Sequence, residues 1–283
     1  MKRTRGEKIF NVVNLAFLGG VALVALYPFV YVMLASMTCP TKDGREWTFK
    51  AYELVLGNPE IMTALGNTAL RTVLATALTL LVSCLAGYAL ARKTLPHRGM
   101  VLFLILFTMI FNGGIVPNYL LIRNLGLIDS IWSLVLPLLV SAFNLIIIKN
   151  FFQQIPESLT EAARVEGASE TAILFRIFLP LSMPVLATVA LWTAVMHWNQ
   201  WFDAMLYIYN DDKQVLQTLL QRIVIQNSTA MQDRVRTGLD ISRLTPESVK
   251  AATVMVTVLP IAMLYPFVQR YFVKGILLGG VKE

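Results

Sequence analysis

Long uncharged stretches dominate the pattern of hydrophobic and polar positions along this chain. Six of them, each bounded by charged residues, are 19 to 33 residues long. A helix needs about 20 predominantly apolar residues to cross the hydrocarbon core of a bilayer. One buried helix of a soluble protein can reach that length, but six in one chain are typical of a membrane protein. The pattern therefore predicts six transmembrane helices, at 10–37, 71–92, 99–122, 130–149, 181–203 and 250–270.

The amino-acid composition agrees with a chain whose solvent is mostly lipid. Hydrophobic residues make up 56% of the 283 residues and charged residues 14%, whereas soluble domains average about 45–50% and about 25%. These values exclude an ordinary soluble enzyme, a disordered protein and a disulfide-rich secreted module. Cys39 and Cys84 lie far apart and are expected to pack as small apolar side chains. We predict one all-α transmembrane domain over residues 1–283.

The distribution of Lys and Arg predicts the orientation of the spans. Six spans place four segments on the side of the N terminus, and these segments carry 13 basic and 6 acidic residues, whereas the opposite side carries 11 of each. Short loops rich in Lys and Arg stay in the cytoplasm. Both termini are therefore predicted to be cytoplasmic, in a multi-pass protein of the cell membrane. The net charge of +7 is explained by basic segments that face anionic lipid, without nucleic acid.

The connection between the fourth and fifth predicted spans has the pattern of a helix, a tight turn and a second helix. We predict a short helix over about 157–166, starting either at Pro156 or at a capping box formed by Ser158 and Glu161. Gly167 is placed to end it in a left-handed conformation, and Ser169 to cap the next helix. A short helix of this kind either inserts into a groove of a partner protein or rests on lipid headgroups. The residues alone leave both interpretations open.

Several motifs resemble those of bacterial ABC importer permeases. Glu161-Ala162-Ala163, Gly167-Ala168, Ile177, Leu179-Pro180 and Pro184 are similar to the EAA motif of that family, with Glu166 where the family usually has Asp. The run from Tyr265 to Lys282 resembles the C terminus of the second permease subunit of maltose-type sugar importers, and Trp198-Asn199 is a further match. Phe111-Asn112-Gly113-Gly114 resembles the branch that handles complex oligosaccharides. The resemblance covers the chain from the first span onward.

This resemblance implies an ABC type I importer permease fold and half of a translocation pathway for carbohydrate. Residues 155–179, which we call the EAA segment, would couple the chain to an ATPase through Glu161, Ala162, Ala163, Glu166 and Gly167. The tail residues Gly279, Gly280 and Lys282 would contact the ATPase dimer. The implied partners are a sibling permease subunit, two ATPase subunits that bind ATP and Mg²⁺, and an extracytoplasmic solute-binding protein. No cofactor is implied on this chain itself.

The residues independently favour a transport subunit powered by another chain over an enzyme or a self-contained carrier. The sequence contains no GxxxxGK[ST] motif for a nucleotide phosphate. No predicted span has a charged residue at its centre, whereas carriers driven by protons or sodium usually bury such residues at mid-membrane. The alternative of a self-contained secondary carrier or channel would predict an internal repeat and polar residues within the spans. An intramembrane enzyme lacks the necessary catalytic residues.

The outer end of the fifth predicted span has the densest group of aromatic and polar residues. Trp198, Asn199, Trp201 and Asp203 offer sugars aromatic faces for C–H surfaces, and amide and carboxylate groups for hydroxyls. The alternative is an interfacial aromatic belt. Trp192 is expected to pack inside the protein. Arg71 and Arg123, at predicted span ends, are expected to be topological or lipid anchors, or alternatively to face an anionic sugar. His97 and His197 fall on opposite membrane sides, which argues against a shared metal site.

Overall fold

The structure, a computed structural model, describes residues 5–41, 44–224 and 245–280. The chain divides into two compact units, Met1–Ile61 with Leu220–Leu259, and Met62–Leu219 with Pro260–Glu283. The described residues are mostly helical, as the sequence predicts. The predicted tail residue Lys282 lies outside the described residues, and Gly279 and Gly280 end the last helix.

The first unit begins with helix α1, Arg5–Ser36, which holds the first predicted span. Apolar side chains are exposed along its length from Ile9 to Leu34. A 32-residue apolar helix with so little contact to its own chain is unfavourable in water, since exposed apolar area is penalised by roughly 25 cal/mol per Å². The helix is therefore suited to lipid or to the surface of another subunit.

A short β-hairpin follows α1 and departs from the predicted all-α fold. Strand β1, Thr38–Thr41, pairs antiparallel with strand β2, Gly44–Trp47, and Thr38 lies opposite Trp47. Helix α2, Lys50–Gly57, comes next, and its Tyr52 hydroxyl lies 2.6 Å from the Ser36 hydroxyl at the end of α1. The hairpin is thus a small polar addition to an otherwise helical fold.

Helix α3, Pro59–Ala91, contains the second predicted span but begins 12 residues before it. The side-chain carbonyl of Asn58 accepts hydrogen bonds from the N–H groups of Glu60 and Ile61, at 2.9 and 3.2 Å, and so fixes the start of the helix. The start of the span at Arg71 stays a prediction, because a helix can begin before the chain enters the membrane. Arg71 lies inside the helix, where its side chain is paired within the protein.

Sharp bends lie within two of the predicted spans and at the start of a third. Helix α4, Arg98–Ile110, meets α5, Ile115–Asn124, at 113°, across Gly114 with φ +87°. Helix α6, Ile131–Val135, continues as a 3₁₀ turn over Leu136–Leu138 and meets α7, Ala142–Phe152, at 53°. Pro137 in that turn lacks the N–H group that a continuous helix requires. The spans 99–122 and 130–149 stay predictions, each now with a bend inside it.

The third break lies at the start of the predicted span 181–203. Helix α8, Glu157–Val165, is followed by α9, Glu170–Ile173, a π-helical turn over Leu174–Phe178, and α10, Leu179–Leu181. The stretch Glu170–Leu181 meets α11, Met183–Asn199, at 82°. Pro180 and Pro184, on either side of this corner, remove helical hydrogen bonds.

Three further helices complete the described fold. Helix α12 spans Phe202–Tyr207, α13 spans Leu216–Val224, and α14 spans Pro246–Gly280. Helix α13 is amphipathic, with Leu216 and Leu219 on its buried face. Among the described residues, two helices are long and apolar enough to cross a membrane, or up to five if each bent pair forms one span. The sixth predicted span, 250–270, falls within α14.

Candidate functional site

The EAA segment forms the predicted helix, turn and second helix. Helix α8 occupies Glu157–Val165, and Gly167 follows in the left-handed region with φ +82°. The hydroxyl of Ser169 accepts a hydrogen bond from the N–H of Ala172, at 3.3 Å, and caps α9. Pro156 lies one residue before the helix with ψ 133°, and its cap has no side-chain hydrogen bond. The Gly167 turn and the Ser169 cap are therefore confirmed, whereas the capping box is not formed.

The residues predicted to couple the chain to an ATPase lie mostly on the outside of this segment. Glu161, Ala162, Glu166 and Gly167 are exposed, whereas Ala163 is 9% exposed and packs against the protein. On the same short helix, Leu159 is 43% and Val165 90% exposed. A charged helix that also presents apolar side chains to the outside has the surface of a docking element.

A cluster of charged and hydroxyl groups joins the EAA segment to the end of α3. The Glu170 carboxylate accepts a hydrogen bond from the Tyr88 hydroxyl at 2.6 Å and from Arg164 Nε at 3.1 Å, and it forms an ion pair with Arg92. The Arg92 guanidinium also lies 4.7 Å from the centre of the Tyr88 ring. We call these four residues the Glu170 clamp. They bring positions as far as 82 residues apart onto one carboxylate.

An apolar core lies directly beneath the clamp. The Phe178 ring meets the rings of Tyr88 and Phe152 edge to face, with centroids 4.9 and 5.4 Å apart. Ile148 and Ile173, both fully buried, belong to the same cluster. A side chain at Gly87 would lie 3.2 Å from the Ile148 side chain, so α3 and α7 pack at close range here. Closely packed interiors of this kind have low compressibility, so these helices are held firmly against one another.

No sequence motif predicts the Glu170 clamp. Arg92 lies at the end of a predicted span, and Glu170 is one residue after a predicted helix cap. Their pairing depends on how the chain returns to the end of α3, which no local spacing encodes.

The predicted sugar-contacting residues at the end of α11 have different surroundings from one another. Trp198 is 7% exposed and therefore buried, Trp201 is half-buried, and Asn199 is exposed. The Asn199 amide donates to the carbonyl of Val195 at 2.8 Å and accepts from the Gln217 amide at 3.2 Å. The role of these residues in sugar contact stays a prediction.

Asp203 forms a buried ion pair with Arg71. The Arg71 guanidinium also donates to the carbonyls of Gln200 at 3.0 Å and Leu134 at 3.4 Å, and Arg71 is 0% exposed. The expectation that Arg71 is a lipid anchor is wrong, since the side chain lies inside the protein. Instead it ties α3 to the break between α11 and α12. His197, also fully buried, has no hydrogen-bond partner for its ring nitrogens among the described residues.

A second polar cluster organises the segment after α12. The Asp129 carboxylate accepts hydrogen bonds from the backbone N–H groups of Tyr209 at 2.6 Å and Asn210 at 2.9 Å. These bonds, that of Asn210 first, hold the pKa of Asp129 below its ordinary value because they favour the charged form. The Lys213 ammonium donates to the Asp129 carbonyl at 2.8 Å, and the Tyr119 and Tyr209 hydroxyls lie 3.0 Å apart.

Comparison with known proteins identifies the class to which this architecture belongs. Residues 93–277 match the family described as the binding-protein-dependent transport system inner membrane component. "Protein LplC" of Bacillus subtilis (strain 168) is 39% identical, over 100% of this chain and 98% of that protein. The "Polygalacturonan/rhamnogalacturonan transport system permease protein YtcP" of the same organism is 38% identical, over 98% of this chain and 99% of its own length.

A solved structure shares both fold and sequence with the chain. The crystal structure of a bacterial ABC transporter involved in the import of the acidic polysaccharide alginate contains a chain that is 32% identical, with a TM-score of 0.88. The match covers 96% of this chain and 99% of that one. The helical architecture, the apolar spans and these similarities lead to one conclusion: the chain belongs to the family of inner-membrane components of binding-protein-dependent transport systems.

Proposed function

We propose that the chain is a permease subunit of an ATP-driven importer of oligosaccharides. The observation that carries this proposal is the EAA segment, an exposed short helix ended by Gly167 and joined by the Glu170 clamp to a long apolar helix. A segment built in this way has an outer face for a partner and an inner face that acts on the spans. Family membership favours this function over a self-contained carrier or channel.

The proposed topology has six membrane crossings with both termini in the cytoplasm. Support comes from the two continuous apolar helices, the three bent pairs and α14. The excess of Lys and Arg on the side of the EAA segment supports the orientation. In this topology the EAA segment faces the cytoplasm, where ATP is available, and the Asp129 cluster faces outward.

The energy for transport would come from two ATPase subunits that bind ATP and Mg²⁺. The residues in direct contact with an ATPase would be Glu161, Ala162, Glu166 and Gly167. Ala163 would pack α8 against the rest of its own chain. Gly279, Gly280 and Lys282 would contact the ATPase dimer through the tail. Movement of α8 would reach α3 through Arg92 and Tyr88, and so change the side of the membrane to which the pathway opens.

The substrate would be an oligosaccharide delivered by an extracytoplasmic solute-binding protein to this chain and a sibling permease. Two relatives act on acidic polymers by their printed names, polygalacturonan or rhamnogalacturonan in one case and alginate in the other. Another relative, 28% identical, is named for arabinooligosaccharides. The proposal therefore names oligosaccharides as the class. Trp198, Asn199, Trp201 and Asp203 are proposed contacts near the outer end of the pathway.

A purification from mild detergent tests the proposal. The chain is tagged at its N terminus in its native membrane, and its stoichiometric partners are identified. We expect to recover a second permease and an ATPase with the wild-type chain. Glu157→Lys should retain both partners, whereas Glu161→Lys should lose the ATPase. The two variants make the same change at different positions on α8, so Glu157→Lys is the control. A homo-oligomer without ATPase would contradict the proposal.

The purified complex then serves for uptake measurements in proteoliposomes. The solute-binding protein is supplied outside and ATP inside, with labelled trigalacturonate and arabinotriose as the probes. We expect ATP-dependent uptake of at least one probe. Trp198→Ala should lower that uptake if the outer aromatic residues contact sugar, whereas unchanged uptake would leave Trp198 as part of an interfacial belt.

A further inference from the structure

A cavity opens beside the break between α6 and α7, within the predicted fourth span. Its volume is about 280 Å³, enough for a pyranose ring with its hydroxyl groups. Its polar lining comes from Thr79, Ser141, Asn144 and Thr193, and two of its apolar lining residues are the aromatic Phe143 and Trp192. We call it the Asn144 pocket.

The broken helix is the first feature that points to a solvated site. The chain leaves helical geometry between Leu138 and Ala142, and Ser141 caps α7 by accepting from the Asn144 N–H at 3.3 Å. Non-helical backbone at membrane depth is tolerated where it is buried in protein or lines a water-filled cavity, because its polar groups have no partner in lipid. The pocket lies at this break, so its walls include backbone polar groups that can form hydrogen bonds with water or a sugar.

The hydroxyl groups of α3 are the second, independent feature. Thr79 is 1% exposed, lines the pocket, and its hydroxyl oxygen has no hydrogen-bond partner among the described residues. The same holds for the buried hydroxyl oxygens of Thr72, Thr76 and Ser83. Spacings of four, three and four residues place all four on one face of the helix. A buried hydroxyl group without a hydrogen-bond partner is unfavourable. This indicates that a polar ligand forms the missing hydrogen bond with the Thr79 hydroxyl.

The remaining lining has the chemistry of a sugar site. The Asn144 amide donates to the Thr193 hydroxyl at 3.3 Å, and this polar pair is buried. The rings of Phe143 and Trp192 lie 5.5 Å apart and are 49% and 48% exposed, so Trp192 is not fully packed as the sequence predicted. Aromatic faces beside amide and hydroxyl groups fit the C–H face and the hydroxyl groups of one sugar ring.

From this geometry we infer that the Asn144 pocket binds one ring of the transported oligosaccharide during its passage, an inference that rests on the proposed function. The cavity lining carries no charged side chain. Recognition there therefore depends on ring shape and hydroxyl groups. Trp192 lies six positions before Trp198 on α11, about 9 Å along the helix axis, so this site is deeper than the outer aromatic residues.

Uptake kinetics in proteoliposomes test the site directly. Asn144→Leu and Thr193→Val are compared with Thr188→Val, a matched control on the same helix whose hydroxyl already donates to the Pro184 carbonyl at 2.9 Å. With labelled trigalacturonate or arabinotriose, whichever the wild-type complex imports, we expect kcat/KM to fall about three- to tenfold in the first two variants, since each removes one hydrogen bond to the sugar. ATP hydrolysis without sugar should be unchanged in Thr188→Val.

Accessibility to a hydrophilic thiol reagent provides a second readout that does not depend on kinetics. In a background carrying Cys39→Ser and Cys84→Ala, the Thr193→Cys variant should react with a cationic methanethiosulfonate, and the probe sugar should slow that reaction. Thr188→Cys should stay unreactive.

The outcomes separate the two proposals. A wild-type complex that imports neither probe overturns the proposed function, and the sugar site with it. A working importer with kcat/KM unchanged in Asn144→Leu and Thr193→Val overturns the site alone. Equal reactivity of Thr193→Cys and Thr188→Cys also contradicts a solvated pocket.

Discussion

Two ion pairs attach other parts of the second unit to helix α3, and they differ in nearly every physical respect. Arg71 and Asp203 are buried, with side chains 1% and 13% exposed, and Arg71 also donates to two backbone carbonyls. Arg92 and Glu170, 21 residues further along or about 31 Å of helix, are 25% and 55% exposed. A buried pair is expensive to break, whereas an exposed pair contributes little to stability and can be exchanged.

This difference matches the tasks that we propose for the two regions. The Arg71–Asp203 pair fixes the break between α11 and α12 against α3, where loss of one charge leaves the other buried and unpaired. The Glu170 clamp lies next to the exposed helix α8. An exposed ion pair there can break and re-form as α8 moves. The contrast between a fixed and an adjustable attachment leads to four predictions.

Breaking the buried pair should have the largest effect. Arg71→Met leaves the Asp203 carboxylate and two carbonyls unpaired, and we expect a loss of about 3–5 kcal/mol in the free energy of unfolding. Thermal unfolding of the purified complex measures this. The double variant Arg71→Met with Asp203→Leu should recover most of the loss, because no charge is left buried. A single variant as stable as the wild type would contradict the fixed attachment.

The turn that separates Arg164 from Glu170 should be the next most sensitive position. Gly167 has φ +82°, and this region costs a residue with a Cβ about 1–2 kcal/mol. A Cβ there would meet nothing within 4 Å, so the effect is conformational within this chain. Gly167→Ala should reduce the amount of ATPase recovered with the chain, and Gly167→Asn less so, since Asn adopts this region more readily. Equal recovery from the wild type and Gly167→Ala would show that the turn geometry is unimportant.

Weakening the exposed clamp should affect coupling more than stability. Glu170→Gln removes the charge that Arg92 and Arg164 share, and we expect the free energy of unfolding to change by no more than about 1 kcal/mol. The number of sugar molecules imported per ATP hydrolysed should fall, because α8 then moves without α3. Glu157→Gln, also in α8 and exposed, is the control. A large loss of thermal stability in Glu170→Gln would make the clamp structural, like the Arg71 pair.

A third kind of attachment, a carboxylate held by backbone N–H groups, should have the smallest effect and a characteristic pH dependence. The pKa of Asp129 is lowered from its ordinary value of 3.8, so its hydrogen bonds stabilise the fold above that pH. The contribution is lost as the pH falls through the lower folded-state pKa. The difference in thermal stability between the wild type and Asp129→Asn should therefore shrink below pH 3.8. A difference that is constant with pH would show that the charge of Asp129 is unimportant.

Local features of the site were predictable because they depend on neighbouring residues. A glycine after a short helix, followed by a serine two positions later, encodes both the left-handed turn and the next cap. The amphipathic spacing of Leu216 and Leu219 encodes a helix in the same way. Charge does not mark the start of α3, since Arg71 lies inside this helix and has a buried partner in Asp203.

The sequence by itself determined that this chain is a membrane protein and that it contains an EAA segment. Both conclusions rest on the length of apolar runs and on short motifs, which are properties of consecutive residues. Only the tertiary structure decided that Arg71 meets Asp203, that Glu170 gathers Tyr88, Arg92 and Arg164, and that Thr79, Asn144 and Thr193 share a pocket. Apart from Arg164 and Glu170, which are 6 positions apart, these contacts join residues 49 to 132 positions apart. They arise from how the helices pack and where they break, and neither composition nor periodicity contains that information.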